Sequence, residues 1–167
     1  HFPNLKGHSF SKHLFDENLS AQRKACLYQW SSLVYMDSEW SQGFAPVLAN
    51  KDASSLWNFF SGDKVIPSLS NRGHLRGCFD GRYKFSRYFS PTQHRQNYSF
   101  KQLIDECDLE LYDTHNDPLE MNNLAHNPAE FTQLITDQNK QLEGLIEKEV
   151  GTDLGDFLPG PSSFWTA

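Results

Sequence analysis

The dipeptide Asp80-Gly81 stands between two runs of strand-forming residues, Leu75–Phe79 and Arg82–Phe89, and it restricts the fold of this chain more than any other feature. Asp-Gly suits a two-residue turn whose central residues take positive φ, so the spacing predicts a β-hairpin. By the two-residue period of a strand, Leu75 and Phe79 share one face while Arg76 and Cys78 share the other. On the returning strand Tyr83, Phe85 and Phe89 share a face. Leu109–Tyr112 reads as a third, short strand. It is stopped by the stretch from Asp113 to Pro118, where Asp and Asn bond their own backbone and Pro fixes φ.

A helix should follow. Asn127 can cap it, Pro128 occupies the first turn and Glu130 can reach back, so the helix is expected from Pro128 to about Val150, with Gly151 as the stop. Phe131, Leu134, Ile135, Leu142, Leu145 and Ile146 fall on one stripe at helical spacing. Burying such a stripe is worth about 1.5–3 kcal/mol per large side chain, enough to hold a small sheet together. The expected fold class is therefore α+β: a small antiparallel sheet of about four strands packed against a long C-terminal helix.

The fourth strand is expected upstream, at Ala25–Tyr35, where aromatic and β-branched residues do not alternate cleanly with polar ones. That pattern suggests burial on both faces. Before it, residues 1–20 read as a linker with a short helical turn near Ser9–Phe15, and Asp16–Lys24 as a solvated loop. After it, Met36–Pro46 is read as a loop on account of Gly43 and Pro46, and Asn50–Ser61 as a short helix. A loop from Ser61 to Arg72 leads into the hairpin, and Asn71–His74 is expected to be exposed. Ser90–Lys101 should be a loop, Gln102–Cys107 a short helix, and residues 151–167 an irregular tail. One domain is the natural unit for 167 residues.

Charge excludes one class of partner. A formal net charge of -6 and a pI near 5.6 oppose the basic footprint that nucleic acid requires. No apolar run reaches the roughly 18 residues of a membrane-spanning helix, so no membrane partner is expected. The chain opens on His1 without a signal-peptide pattern, which reads as a processed piece of something longer. Cys26, Cys78 and Cys107 are too few and too widely spaced for a disulfide framework or a metal site, and are read as structural thiols.

The pairing of DGRYKF (Asp80–Phe85) with ELYDTHNDPLEMNNLA (Glu110–Ala125) resembles the C-terminal region of sulfatases, in the alkaline-phosphatase-like superfamily. Those enzymes show a D-G-x-Y-K hairpin followed by E-L-Y-D-x-x-x-D-P-x-E-x-x-N-L-A. Leu5–Leu14 is similar to their L-x-G-x-S-L-x-P-L-L segment, with Lys12 where proline is common. Tyr35–Trp40 is similar to a Y-M-D-P-E-W of bacterial sulfatases, with Ser38 in place of proline. The resemblance implies hydrolysis of sulfate esters by a complete enzyme in which this chain is the C-terminal part. It also implies a formylglycine nucleophile made within C/S-x-P-x-R and a Ca²⁺ ion held by Asp and Asn/Gln oxygens. A periplasmic or secreted location would follow from the family.

Those catalytic parts are expected outside this chain. Cys78 and Arg82 have the nucleophile motif's separation, but Asp80 stands where proline belongs, and the segment is a predicted hairpin and not a helix start. No adjacent Asp-Asp pair is present. Gly62-Asp63 and Gly155-Asp156 are followed by the wrong residues for a metal motif, and Asp113–Asp117 lacks the glycine and terminal glutamate of a calcium loop. The expected partners are an N-terminal catalytic part, from the same precursor or a second chain, and a sulfated small molecule or glycan.

For contact with that substrate, Arg72, His74, Arg76, His94 and Arg95 are the candidates, as cations and hydrogen-bond donors suited to an anion. Each reads first as an ordinary surface residue. Trp30, Trp40 and Trp57 could stack on a ring, with core packing the preferred reading. The seven histidines show no ligand spacing and are read as solvent-facing. Two rivals remain: a phosphonate or phosphodiester hydrolase with the same C-terminal pattern, and a non-enzymatic sugar-binding or interaction module, suggested by the 14% aromatic content.

Overall fold

The structure, a computed structural model, describes residues 11–16, 18–19, 23–31, 37–50 and 68–152. Within them lies an antiparallel sheet of four strands, β1 (Cys26–Ser31), β2 (His74–Phe79), β3 (Tyr83–Phe89) and β4 (Cys107–Asp113), in the order β1-β2-β3-β4. The described helices are α1 (Ser38–Ala49), α2 (Phe100–Glu106) and α3 (Thr132–Glu149), with short 3-10 turns at Ser11–Leu14, Pro91–Gln93 and Leu124–His126. This is the α+β arrangement expected from the sequence: a meander of short strands with a long C-terminal helix against it.

Register assigns the faces, because residues directly opposite in an antiparallel pair point the same way. Cys78 pairs with Phe85 and Phe85 with Leu111, so these three form one row on the covered face. There they meet Ile135, Leu142 and Ile146 of α3 in one core, joined by Phe89, Tyr98, Leu103 and Cys107. Phe131, Leu134 and Leu145 pack at its margin. The apolar stripe of α3 therefore does what its spacing predicts. Gln138 and Asn139 are buried on the same face, which the stripe had not included.

The opposite face carries Tyr28, Trp30 and Phe79, which are 56%, 55% and 41% exposed. Here the expectation for β1 fails. It is an edge strand, with Leu27 against the core on one face and most of its residues exposed. Its aromatic residues sit on a surface.

Four other boundaries shift for physical reasons. The hairpin turn is centred on Gly81-Arg82, since Phe79 pairs with Lys84 and the Asp80 amide bonds to the Tyr83 carbonyl. Gly81 takes φ of 97°, which suits the first central position of such a turn, and Asp80 accepts from the amides of Arg82 and Tyr83. The segment Ser38–Ala49 is a helix and not a loop. Asp37 Oδ1 caps it from the Trp40 amide at 2.9 Å, and Trp40 and Phe44 pack one turn apart, which outweighs Pro46 within it. The strand β4 runs two residues further upstream than expected and follows α2 directly. Helix α2 has a capping box, with Ser99 and Gln102 bonding each other's backbone.

The long helix begins at Thr132 and not at Pro128. Asn127 instead closes a turn through its carbonyl, and the cap position, Phe131, contributes no side-chain bond. It ends as expected at Gly151, with φ of 110° and its amide on the Ile146 carbonyl. The expected helix at Asn50–Ser61, most of the loop from Ser61, Trp57 and the tail from Asp153 lie outside the described residues.

The outer edge of β4 is closed by a side chain. Asn123 Oδ1 accepts from the Leu111 amide at 2.9 Å, and its Nδ2 donates to the Leu109 carbonyl at 3.0 Å. One carboxamide thus imitates a neighbouring strand. Asn123→Ala should lower stability by roughly 1–3 kcal/mol, because a buried amide and carbonyl lose their partner. Hydrogen exchange at Leu111 should accelerate by the same factor; unchanged protection there would show that Asn123 does not hold the edge.

Candidate functional site

The sequence motifs can be followed residue by residue into contacts with one another. Asp80 Oδ2 accepts from Gln138 Nε2 at 3.0 Å, tying the hairpin to α3. Arg82 holds Asp113 through two bonds of 3.0 and 2.7 Å, and Lys84 holds both oxygens of Glu120. Arg82 draws Asp113 down to a pKa of about 2. Asp117 Oδ2 accepts from the Asn122 amide, and Glu120 takes φ of 54°, a left-handed conformation unusual for a residue with a Cβ. Asp80, Arg82, Lys84, Asp113, Asp117, Glu120 and Asn123 staple hairpin, turn and edge into one unit. These bonds build the turn that the sequence predicts after β4.

The five candidate substrate residues gather at the other end of the sheet, where β2 enters and β3 leaves. Two are engaged in ion pairs. Arg72 meets Asp108 at 2.6 Å and the Asp105 carbonyl at 2.8 Å, while Arg95 grips Glu106 with bonds of 2.5 and 2.7 Å. Both tie flanking loops to the junction of α2 and β4.

The other three surround Phe89. The rings of His74 and His94 each lie 5.7 Å from it, and the Arg76 guanidinium lies 5.5 Å from its centroid. His74 is only 4% exposed, which corrects the expectation that Asn71–His74 and the histidines lie in solvent. His94 is half-buried, and His115 and His126 are exposed as expected. Pairing Arg76 with Arg87 across β2 and β3 brings a second guanidinium to this face.

Arg87 is the residue that sequence reasoning missed. It is 1% exposed, stacked 4.4 Å over the Tyr98 ring, and bonded to Asn139 at 2.5 Å and Glu143 at 3.2 Å. The signal was available, since Arg87 has the same parity as Phe85 and Phe89.

Burial sets the protonation of this cluster. It pushes His74 down to about 4, with the Arg76 charge adding to the effect. His94 falls to about 4 through burial, then Arg76, Arg87 and His74. Burial and the Arg87 charge bring Arg76 down to about 10, against a smaller opposing contribution from Tyr98. Nε2 of His74 and Nε of Arg87 are buried without a hydrogen-bond partner among the described residues.

Both imidazoles are therefore neutral at pH 7. The unfolded chain takes up protons near 6.5, whereas the folded chain resists until about 4, so stability should fall as pH drops through that interval and level off below it. For His74 the loss should approach roughly 3 kcal/mol. Urea titrations at pH 7 and pH 5 should register about 2 kcal/mol of it. His74→Asn should shrink the difference to the His94 share; an unchanged pH dependence in that variant would refute the assignment.

The two buried thiols are held protonated near neutrality. Cys78 lies in β2, 3% exposed, with burial first and the Asp80 charge second pushing its thiol up to about 12. Burial likewise raises Cys107, to about 11. Among the described residues no three His, Cys, Asp or Glu side chains gather as a cation site. Of the tryptophans proposed for stacking, Trp40 is core at 2% exposure and Trp30 is on the open face. An open cleft of about 360 Å³ between Asn97 and the Lys140, Glu143 and Glu147 side of α3 contains none of the five candidates. A scan against protein-family models and a search of curated proteins give no match to this chain.

Proposed function

We propose that this chain is the C-terminal part of a sulfatase, a sulfuric ester hydrolase whose nucleophile and Ca²⁺ site belong to an N-terminal catalytic part. The observation that carries the reading is the mutual bonding of the sulfatase-like motif residues. Lys84 on Glu120, Arg82 on Asp113 and Asn123 on the β4 edge give the two motifs a joint structural reason to occur together. Exposure of Tyr28, Trp30 and Phe79 on the face of the sheet away from α3 is also what a layer of a larger enzyme requires.

In this reading the chain supplies scaffold and part of the pocket rim. His94 and Arg76, the partly exposed members of the Phe89 cluster, are the groups that face an anionic substrate, and the buried His74 supports them. Arg72 and Arg95 act as braces. In this reading no step of hydrolysis is routed through the described residues, where burial holds the Cys78 and Cys107 thiols protonated.

The test is an assay of the isolated chain against an aryl sulfate and an aryl phosphonate, each with Ca²⁺. The expected result is no turnover of either alone, and turnover of the sulfate once the catalytic part is present. Turnover by the isolated chain would overturn the proposal, and turnover of the phosphonate only, with the catalytic part, would replace sulfur by phosphorus.

A further inference from the structure

The two outer edges of the sheet are treated differently. The β4 edge is occupied by the Asn123 carboxamide. No residue of β1 makes a backbone hydrogen bond outward among the described residues. Natural edge strands are ordinarily guarded by lysine, proline, a bulge or a covering loop. Cys26-Leu-Tyr-Gln-Trp-Ser31 contains neither charge nor proline, and six residues of regular register with β2 leave no bulge.

We infer that β1 is a self-association edge, at which a second copy of this chain adds its own β1 antiparallel to form a continuous eight-stranded sheet. A second copy suits this edge because the strand carries no charge to repel its own image and sets two exposed aromatic rings on one face. A two-fold axis perpendicular to the sheet keeps the α3-covered face of both copies on one side, so directly opposed residues must have the same parity. With the axis on Gln29, Tyr28 of each copy lies opposite Trp30 of the other, and Leu27 opposite Ser31. Both aromatic pairs fall on the open face, where each ring is more than half exposed in the single chain. Cross-strand aromatic pairs are among the favourable ones in sheets, and the absence of charge along the strand leaves nothing to repel across the axis.

Sedimentation of the full 167-residue chain across a concentration series tests this, with a limiting mass twice 19.2 kDa expected. Tyr28→Lys combined with Trp30→Lys sets like charges opposite each other twice and should raise the dissociation constant at least about tenfold. Met121→Lys, at a residue 83% exposed elsewhere, should leave it unchanged. Gln29→Cys in a Cys26→Ser background should give an intermolecular disulfide at the axis. Circular dichroism establishes that each variant is folded. A monomer at every concentration would overturn the inference. So would a dimer that tolerates both lysines, or one whose Gln29→Cys form does not cross-link.

Discussion

Arg87→Met should destabilise the fold by about 3–5 kcal/mol, the largest polar effect expected anywhere in the described chain. The guanidinium is completely enclosed, and its removal strands Glu143 and Asn139 inside the layer between sheet and helix. Glu143 keeps the Tyr98 amide and Asn139 Nδ2 as donors, but it loses its cation. The cost arises from leaving one partner behind, so removing the group together should recover much of it. Arg87→Met with Glu143→Gln and Asn139→Leu is expected to be markedly more stable than Arg87→Met alone. Urea midpoints for the set decide the matter. Equal loss in single and combined variants would mean that Arg87 contributes through packing on Tyr98 and not through the network.

Phe85→Ala should cost a similar amount, about 3–5 kcal/mol, for an entirely apolar reason. Its ring has no exposure and sits between Cys78 and Leu111 in register, under Ile135 and Leu142. Truncation leaves a void among neighbours on three strands and one helix, which cannot collapse together. Met121→Ala is the matching control, since that side chain is 83% exposed, and its effect should stay within about 0.5 kcal/mol. Thermal or urea unfolding of the two variants separates core from surface. A loss at Phe85 no larger than at Met121 would contradict the assigned register.

Local signals made the centre of this fold readable. Gly81 forced a turn, Gly151 ended a helix, and the stripe from Ile135 to Ile146 named the buried face of α3. What escaped was decided by tertiary context. The length and composition of Cys26–Ser31 suit a central strand, and only the strand order reveals an edge. Gly43 and Pro46 argued for a loop until Asp37 and the Trp40–Phe44 pair stabilised a helix. Asn127 had the chemistry of a cap, yet its carbonyl was used for a turn four residues early.

The candidate site was legible in part. Reading cationic residues by type found His74, Arg76 and His94, which do converge, together with Arg72 and Arg95, which are taken up by Asp108 and Glu106. Charge alone could not separate the two groups, because the separation depends on carboxylates brought from α2 and β4. Arg87 and Asn139 escaped because only the apolar residues of each stripe were read. They are the buried polar centre of the stripe.

The most direct test is the intact mass and native size of the chain as isolated from its natural source. The account expects an N-terminal catalytic part, in the same polypeptide or as a co-migrating second chain, to carry the mass shift of formylglycine and to hydrolyse an aryl sulfate with Ca²⁺. Aryl-sulfate turnover by the 19.2 kDa chain with no such companion would contradict it and return Cys78 to consideration as a nucleophile.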